Sequence, residues 1–119
     1  MTIKKTNPDF LNGVPELLIL RLLDERPMHG YDLVAAIKTS SHMHLDFGEG
    51  CIYPILHRLE AQDYLTSRRE SFGGRSRIIY RVTKKGAKRL TESWHTWKQV
   101  VAGVTAVLEG GEHAQPAMA

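Results

Sequence analysis

One cysteine, Cys51, is present in 119 residues, so no intrachain disulfide can form. A reducing, intracellular setting fits that usage best. No apolar stretch reaches the roughly 20 residues of a membrane span. The richest run, Leu17–Leu20 continued by Leu22 and Leu23, falls far short. The opening "MTIKKTNPDF" is polar and basic and carries no apolar export region. A cytoplasmic protein with no membrane partner is therefore expected. A glycine-rich phosphate loop, a Gly-x-Ser-x-Gly elbow and a paired-carboxylate pattern are also missing, so neither an enzymatic activity nor a cofactor is expected. Excess charge is small. The net charge of +3 permits a nucleic-acid partner but does not establish one.

What is present fits one domain with a change of period part-way along. Residues 1–13 read as a flexible polar arm, broken by Asn7-Pro8 and Gly13. Pro15 suits the first turn of a helix. "PELLILRLLDER" is apolar nearly all round, as a helix buried on several sides is, and Pro27 stops it. "MHGYDLVAAIKTSS", residues 28–41, reads as a second helix, with Tyr31, Val34 and Ile37 at helical spacing and Leu33 beside them. "HMHLDFG" connects it to a third helix, "GEGCIYPILHRLE", that ends near Asp63.

Then the pattern changes. "YLTSRRESF" and "SRIIYRVT" have the β-branched and aromatic bias of strands, joined by the turn signal "GGR". In the second strand Ile78, Tyr80 and Val82 share one face, and Ile79 and Arg81 the other. Thr83 caps a long last helix. The tail over 110–119 is small and polar and is expected to be disordered. The order helix, helix, helix, strand, strand, helix predicts a mainly α fold with a small β-hairpin. It reads as a winged helix-turn-helix over residues 14–83, followed by a C-terminal dimerisation helix over 84–109. In a winged helix the third helix enters the DNA major groove and the hairpin is the wing.

The third helix is costly. Proline inside a helix costs about 3 kcal/mol and glycine about 1 kcal/mol relative to alanine. On a helical wheel Ile52, Ile55, Leu56 and Leu59 form the core face. Gly50, Pro54, His57 and Ala61 lie opposite, flanked by Tyr53 and Arg58. That outer face is smooth and small near the N-terminus, so another body can approach closely. Free amides and the positive end of the helix dipole suit phosphate there. Tyr53, His57 and Arg58 can reach phosphate or a base edge. A solvated face with a capping glycine is the plainer reading. The hairpin adds five arginines, Arg68, Arg69, Arg75, Arg77 and Arg81. Arg75, next to the glycines at the tip, is placed to enter a minor groove. Charge on a hairpin edge also deters strand-to-strand aggregation.

With these residues in view, the chain resembles the PadR-like family of bacterial transcriptional regulators. The resemblance rests on "PMHGYDL", on "GEGCIYPILHRLEAQDYL" and on "SFGGRSRIIYRVTKKGAKRL", and covers about residues 14–92. The pattern Gly50, Tyr53, Pro54, Leu56, Arg58, Leu59 carries most of it, together with His29-Gly30-Tyr31. The resemblance implies a winged-helix homodimer that binds a palindromic operator and usually represses. It also implies a response to small aromatic or other apolar molecules. The DNA-contacting residues expected here are Gly50, Cys51, Tyr53, Pro54, His57, Arg58, Arg68, Arg75 and Arg77. The family more often has Ser or Thr where this chain has Gly48, and Thr or Ser where it has Cys51.

Along the last helix Ala87, Leu90, Trp94, Trp97, Val101, Val104 and Leu108 alternate at spacings of three and four. That is a heptad seam. Leu90, Trp94, Trp97, Val101, Val104 and Leu108 are the expected dimer contacts, although packing on the first helix would use the same stripe. Trp94 and Trp97 either pack that seam or also accept a flat apolar effector. His42, His44 and Asp46 carry metal-binding chemistry, but no second cluster at a recognised spacing joins them, and no metal site is expected. Cys51 at a helix N-terminus is open to a lowered pKa and redox sensing. The alternatives to an effector-released DNA-binding regulator are a protein-interaction adaptor on the same fold, and a regulator sensing oxidants or metal through Cys51 or His42 and His44.

Overall fold

The computed structural model describes residues 13–110. The flexible arm and disordered tail expected from the sequence lie outside the described residues, apart from Gly13 and Gly110. Helix α1 spans Val14–Glu25, with Pro15 in its first turn. A short strand β1, Met28–His29, leads into α2, Gly30–Ser40, and α3 spans Glu49–Ala61. The hairpin is β2, Leu65–Phe72, and β3, Arg75–Val82; α4 runs Lys84–Glu109. No helix among the described residues is long and apolar enough to cross a membrane.

The sheet has three strands rather than the two expected. Its order is β1-β3-β2, all antiparallel. Met28 pairs with Tyr80 and His29 with Ile79, so these two residues are a strand and α2 begins at Gly30. The His29 side chain then caps α2, accepting from the Asp32 amide at 3.4 Å. Ile79 and Tyr80, neighbours on the central strand β3, are both buried although they point to opposite faces.

The core joins α1, α2, α3 and the sheet. Ile19, Leu20, Leu33, Ile52, Leu56 and Leu59 are fully enclosed. Phe47, read only as part of a connection, is among them. Tyr31 is the reverse case: it is 63% exposed, and Leu33 with Ile37 forms the buried face of α2. The start of α4 is stitched to the end of α3. The Thr83 hydroxyl donates to the Asp63 carbonyl at 2.7 Å and accepts from the Gly86 amide at 3.0 Å. The Thr83 amide donates to the Tyr64 carbonyl at 3.1 Å. Gly86 lies so close to that carbonyl that a side-chain carbon could not be placed there.

Candidate nucleic-acid interface

Helix α3 is held by Ile52, Leu56 and Leu59, all fully buried, with Ile55 half-buried. Opposite them Gly50, Pro54, His57 and Ala61 are exposed. The helix passes through Pro54 without ending, and its N-cap, Gly48, offers no side-chain hydrogen bond to the first amides. The Cys51 amide turns back to the Gly48 carbonyl at 3.0 Å, which leaves the Glu49 and Gly50 amides for an outside acceptor.

Glycine at position 50 is not demanded by the fold. A methyl group there would meet nothing within 4 Å. Gly30 differs: a methyl would come within 2.7 Å of the Tyr53 ring. Tyr53 is therefore half-buried over the start of α2, and burial, with Glu49 nearby, pushes its phenol pKa up. Its ring is also tilted against His57, centroids 6.4 Å apart. Cys51 is half-buried, and burial pushes its thiol pKa up. That is opposite in direction to the lowered value considered from its place at a helix N-terminus, since burial disfavours the thiolate.

Arg58 is not freely available. Its Nη1 donates to Glu16 Oε1 at 3.1 Å and to Gln62 Oε1 at 3.3 Å. Glu16 also accepts from Arg89 Nε through Oε2 at 3.1 Å. That hydrogen bond, with the charge behind it, holds the Arg89 pKa above its ordinary value. Glu16 stands within the nearly all-apolar first helix. It is the one buried charged residue among those described.

The wing arginines divide. Arg81 is paired with Glu70 at 2.8 Å, Arg69 donates to the Ser76 hydroxyl at 3.1 Å, and Arg77 Nη1 lies 2.8 Å from His29 Nε2. Arg68 and Arg75 are exposed, and among the described residues neither has a hydrogen-bonded or ionic partner. Gly73 and Gly74 form the tip with positive φ of 53° and 81°, a turn that carries Arg75 outward.

On α4, Leu90 is buried in the chain's own core, so the surface open to a second chain starts beyond it. Trp97 is half-buried against that core, whereas Trp94 is half-exposed with the Lys98 ammonium over its ring. Val101, Val104 and Leu108 are exposed, together with Val100 and Val107. A groove of about 490 Å³ between α1 and α4 is lined by Val14, Glu16, Leu17, Arg89, Trp97 and Val100, among others. His42 and His44 are exposed on the connection after α2. No three His, Cys, Asp or Glu side chains gather as a metal cage among the described residues.

Comparisons with known proteins agree with this fold. Residues 19–92 match the model of the family described as "Transcriptional regulator PadR-like family". The chain is 30% identical over 105 residues to transcriptional regulator Rv3488 of Mycobacterium tuberculosis (strain ATCC 25618 / H37Rv), covering 88% of this chain and 92% of that protein. It is 36% identical over 84 residues to transcriptional regulator YqjI of Escherichia coli (strain K12). That match takes in 71% of this chain but 39% of the other, so the chain spans about two fifths of that relative's length. Among solved structures, a padr family transcriptional regulator from Eggerthella lenta DSM 2243 superposes with a TM-score of 0.75 at 30% identity, covering 87% of this chain and 88% of that one.

Proposed function

This chain belongs to the PadR-like family of transcriptional regulators, and we propose that it binds a palindromic operator as a homodimer, with α3 in the major groove and the wing beside it. Bound there, it represses, and a small apolar or aromatic effector releases it. The observation that carries the reading is the open space over Gly50. A helix that gains nothing inside its own fold from a glycine gains close approach to an outside body. Pro54 and His57 extend that face, and Arg68 and Arg75 supply charge that no described neighbour neutralises.

Backbone contacts from such arginines give affinity, and contacts from the α3 face give sequence preference. The apolar stripe from Val100 to Leu108 supports pairing of two chains along α4, since an isolated monomer rarely leaves such a surface uncovered. A two-fold dimer places its recognition helices in successive major grooves, roughly 34–36 Å apart. Trp94 and Trp97 border the stripe and are the residues against which an effector would stack.

A gel shift on a duplex selected from a random pool tests this. The expected result is saturable binding that weakens steeply with salt, as counterion release requires. Binding that does not saturate, or that is insensitive to salt, sinks the regulator reading in favour of a protein-interaction adaptor.

A further inference from the structure

The DNA-reading helix and the last helix meet on a single buried carboxylate. Glu16 of α1 has 11% of its side chain exposed. Arg58 of α3 binds one of its oxygens and Arg89 of α4 binds the other, each at 3.1 Å. A carboxylate is planar, so two guanidinium groups on opposite oxygens fix its orientation and are fixed by it. The carboxylate is buried while the two guanidinium groups reach it from the half-exposed rim, with Arg58 45% and Arg89 42% exposed. The platform between them is rigid, because α1 is buried along Ile19, Leu20 and Leu23 and packs on α2, α3, α4 and β3.

We infer that Glu16 is the positioning residue that sets the attitude of α3 relative to α4, and through it the half-site spacing that the dimer accepts. The inference rests on the reading of the chain as a DNA-binding dimer paired through α4. In such a dimer the two α3 helices are carried at fixed distances from the α4 axis. A few degrees of freedom between α3 and α4 within each chain would spread the separation of the two recognition helices. The bridge adds a second restraint, away from the one that Thr83 and Gly86 make where the two helices join. Glu16 itself makes no DNA contact. It acts through Arg58 and Arg89, and Arg58 is held back from the groove by the same bond.

Two measurements on the full chain test it, with Glu16→Gln and Arg89→Met as the variants. In the first, a selected operator is rebuilt with its half-sites moved by one or two base pairs in either direction. Wild-type affinity should fall about tenfold for each step, whereas both variants should hold within about threefold across the series. A residue that only stabilised the fold would weaken binding at every spacing alike, and that result overturns the inference. The second measurement needs no DNA. Spin labels are placed on cysteines at Ala61 and Gln99 in a Cys51→Ser background, with labelled chain diluted into unlabelled chain. The distance distribution should be narrow in the parent and broader in both variants. A distribution unchanged by either variant overturns the bridge. Failure of the wild type to bind any selected duplex overturns the regulator reading instead.

Discussion

The Tyr53 ring occupies the space that a side chain on residue 30 would need, with a methyl group there coming within 2.7 Å of it. The start of α2 and α3 thus touch through a glycine and an aromatic ring. Gly30→Ala should lower stability by about 1–3 kcal/mol through overpacking. Thermal denaturation would show it as a fall in Tm. The double variant Gly30→Ala with Tyr53→Ala should recover part of that loss; no recovery would mean the ring is not the obstacle.

Gly86→Ala should be the more damaging change. The atom in the way is the Tyr64 backbone carbonyl rather than the end of a movable side chain. A loss of about 3 kcal/mol is expected, because the join between α3 and α4 has to open. Urea titration followed by circular dichroism would measure it, and a Tm equal to wild type would contradict the packing described.

Position 50 should behave in the opposite way. Gly50→Ala meets no obstacle and improves helix propensity, so stability should rise by up to about 1 kcal/mol. Operator affinity should nevertheless fall. Tighter folding with unchanged DNA binding would remove the close-approach argument for α3.

The arginines should separate into two groups. Arg68→Ala and Arg75→Ala should leave Tm unchanged, weaken binding to all duplexes alike and reduce the salt slope by about 1 each. Arg58→Ala should cost about 1–2 kcal/mol of stability, because Glu16 loses one of its two donors. Titration calorimetry at several salt concentrations, alongside Tm, distinguishes the groups.

Cys51 gives a pH prediction. Burial disfavours its thiolate, so the folded chain holds the thiol proton to higher pH than the unfolded chain does. The sign is fixed by that difference. No penalty exists while both states are protonated, and stability falls as pH climbs through the folded value. Tyr53 and Tyr80 are shifted in the same direction, so alkaline destabilisation should exceed what Cys51→Ser alone can remove. Alkylation by iodoacetamide should be slow at neutral pH, and peroxide should leave DNA binding intact. Rapid modification at neutral pH would restore the oxidant-sensing reading.

Much of this was legible in the sequence because periodicity is local. The three apolar helices, the hairpin and the long last helix follow from spacing, and the outer face of α3 follows from the positions of Ile52, Leu56 and Leu59. Features that depend on distant partners were not legible. Met28-His29 continue a helical pattern, and only pairing with Ile79 and Tyr80 makes them a strand. Phe47 looks like a connection residue until the core closes over it. Glu16 is separated by 42 residues from Arg58 and by 73 from Arg89, and no local rule joins them. The Arg58 bridge was hidden for the same reason. The residue's place on the wheel is beside the DNA face, but its partner lies on another helix.

The vacancy over Gly50 has a consequence for how such a protein changes over generations. Residue 86 is locked against a backbone carbonyl, and a side chain on residue 30 must displace the Tyr53 ring. Residue 50 has room for a side chain, so a single codon change can alter what α3 meets while leaving what holds α3 untouched. On the reading proposed for α3, a regulator built this way acquires a new target sequence without first surviving an unstable intermediate.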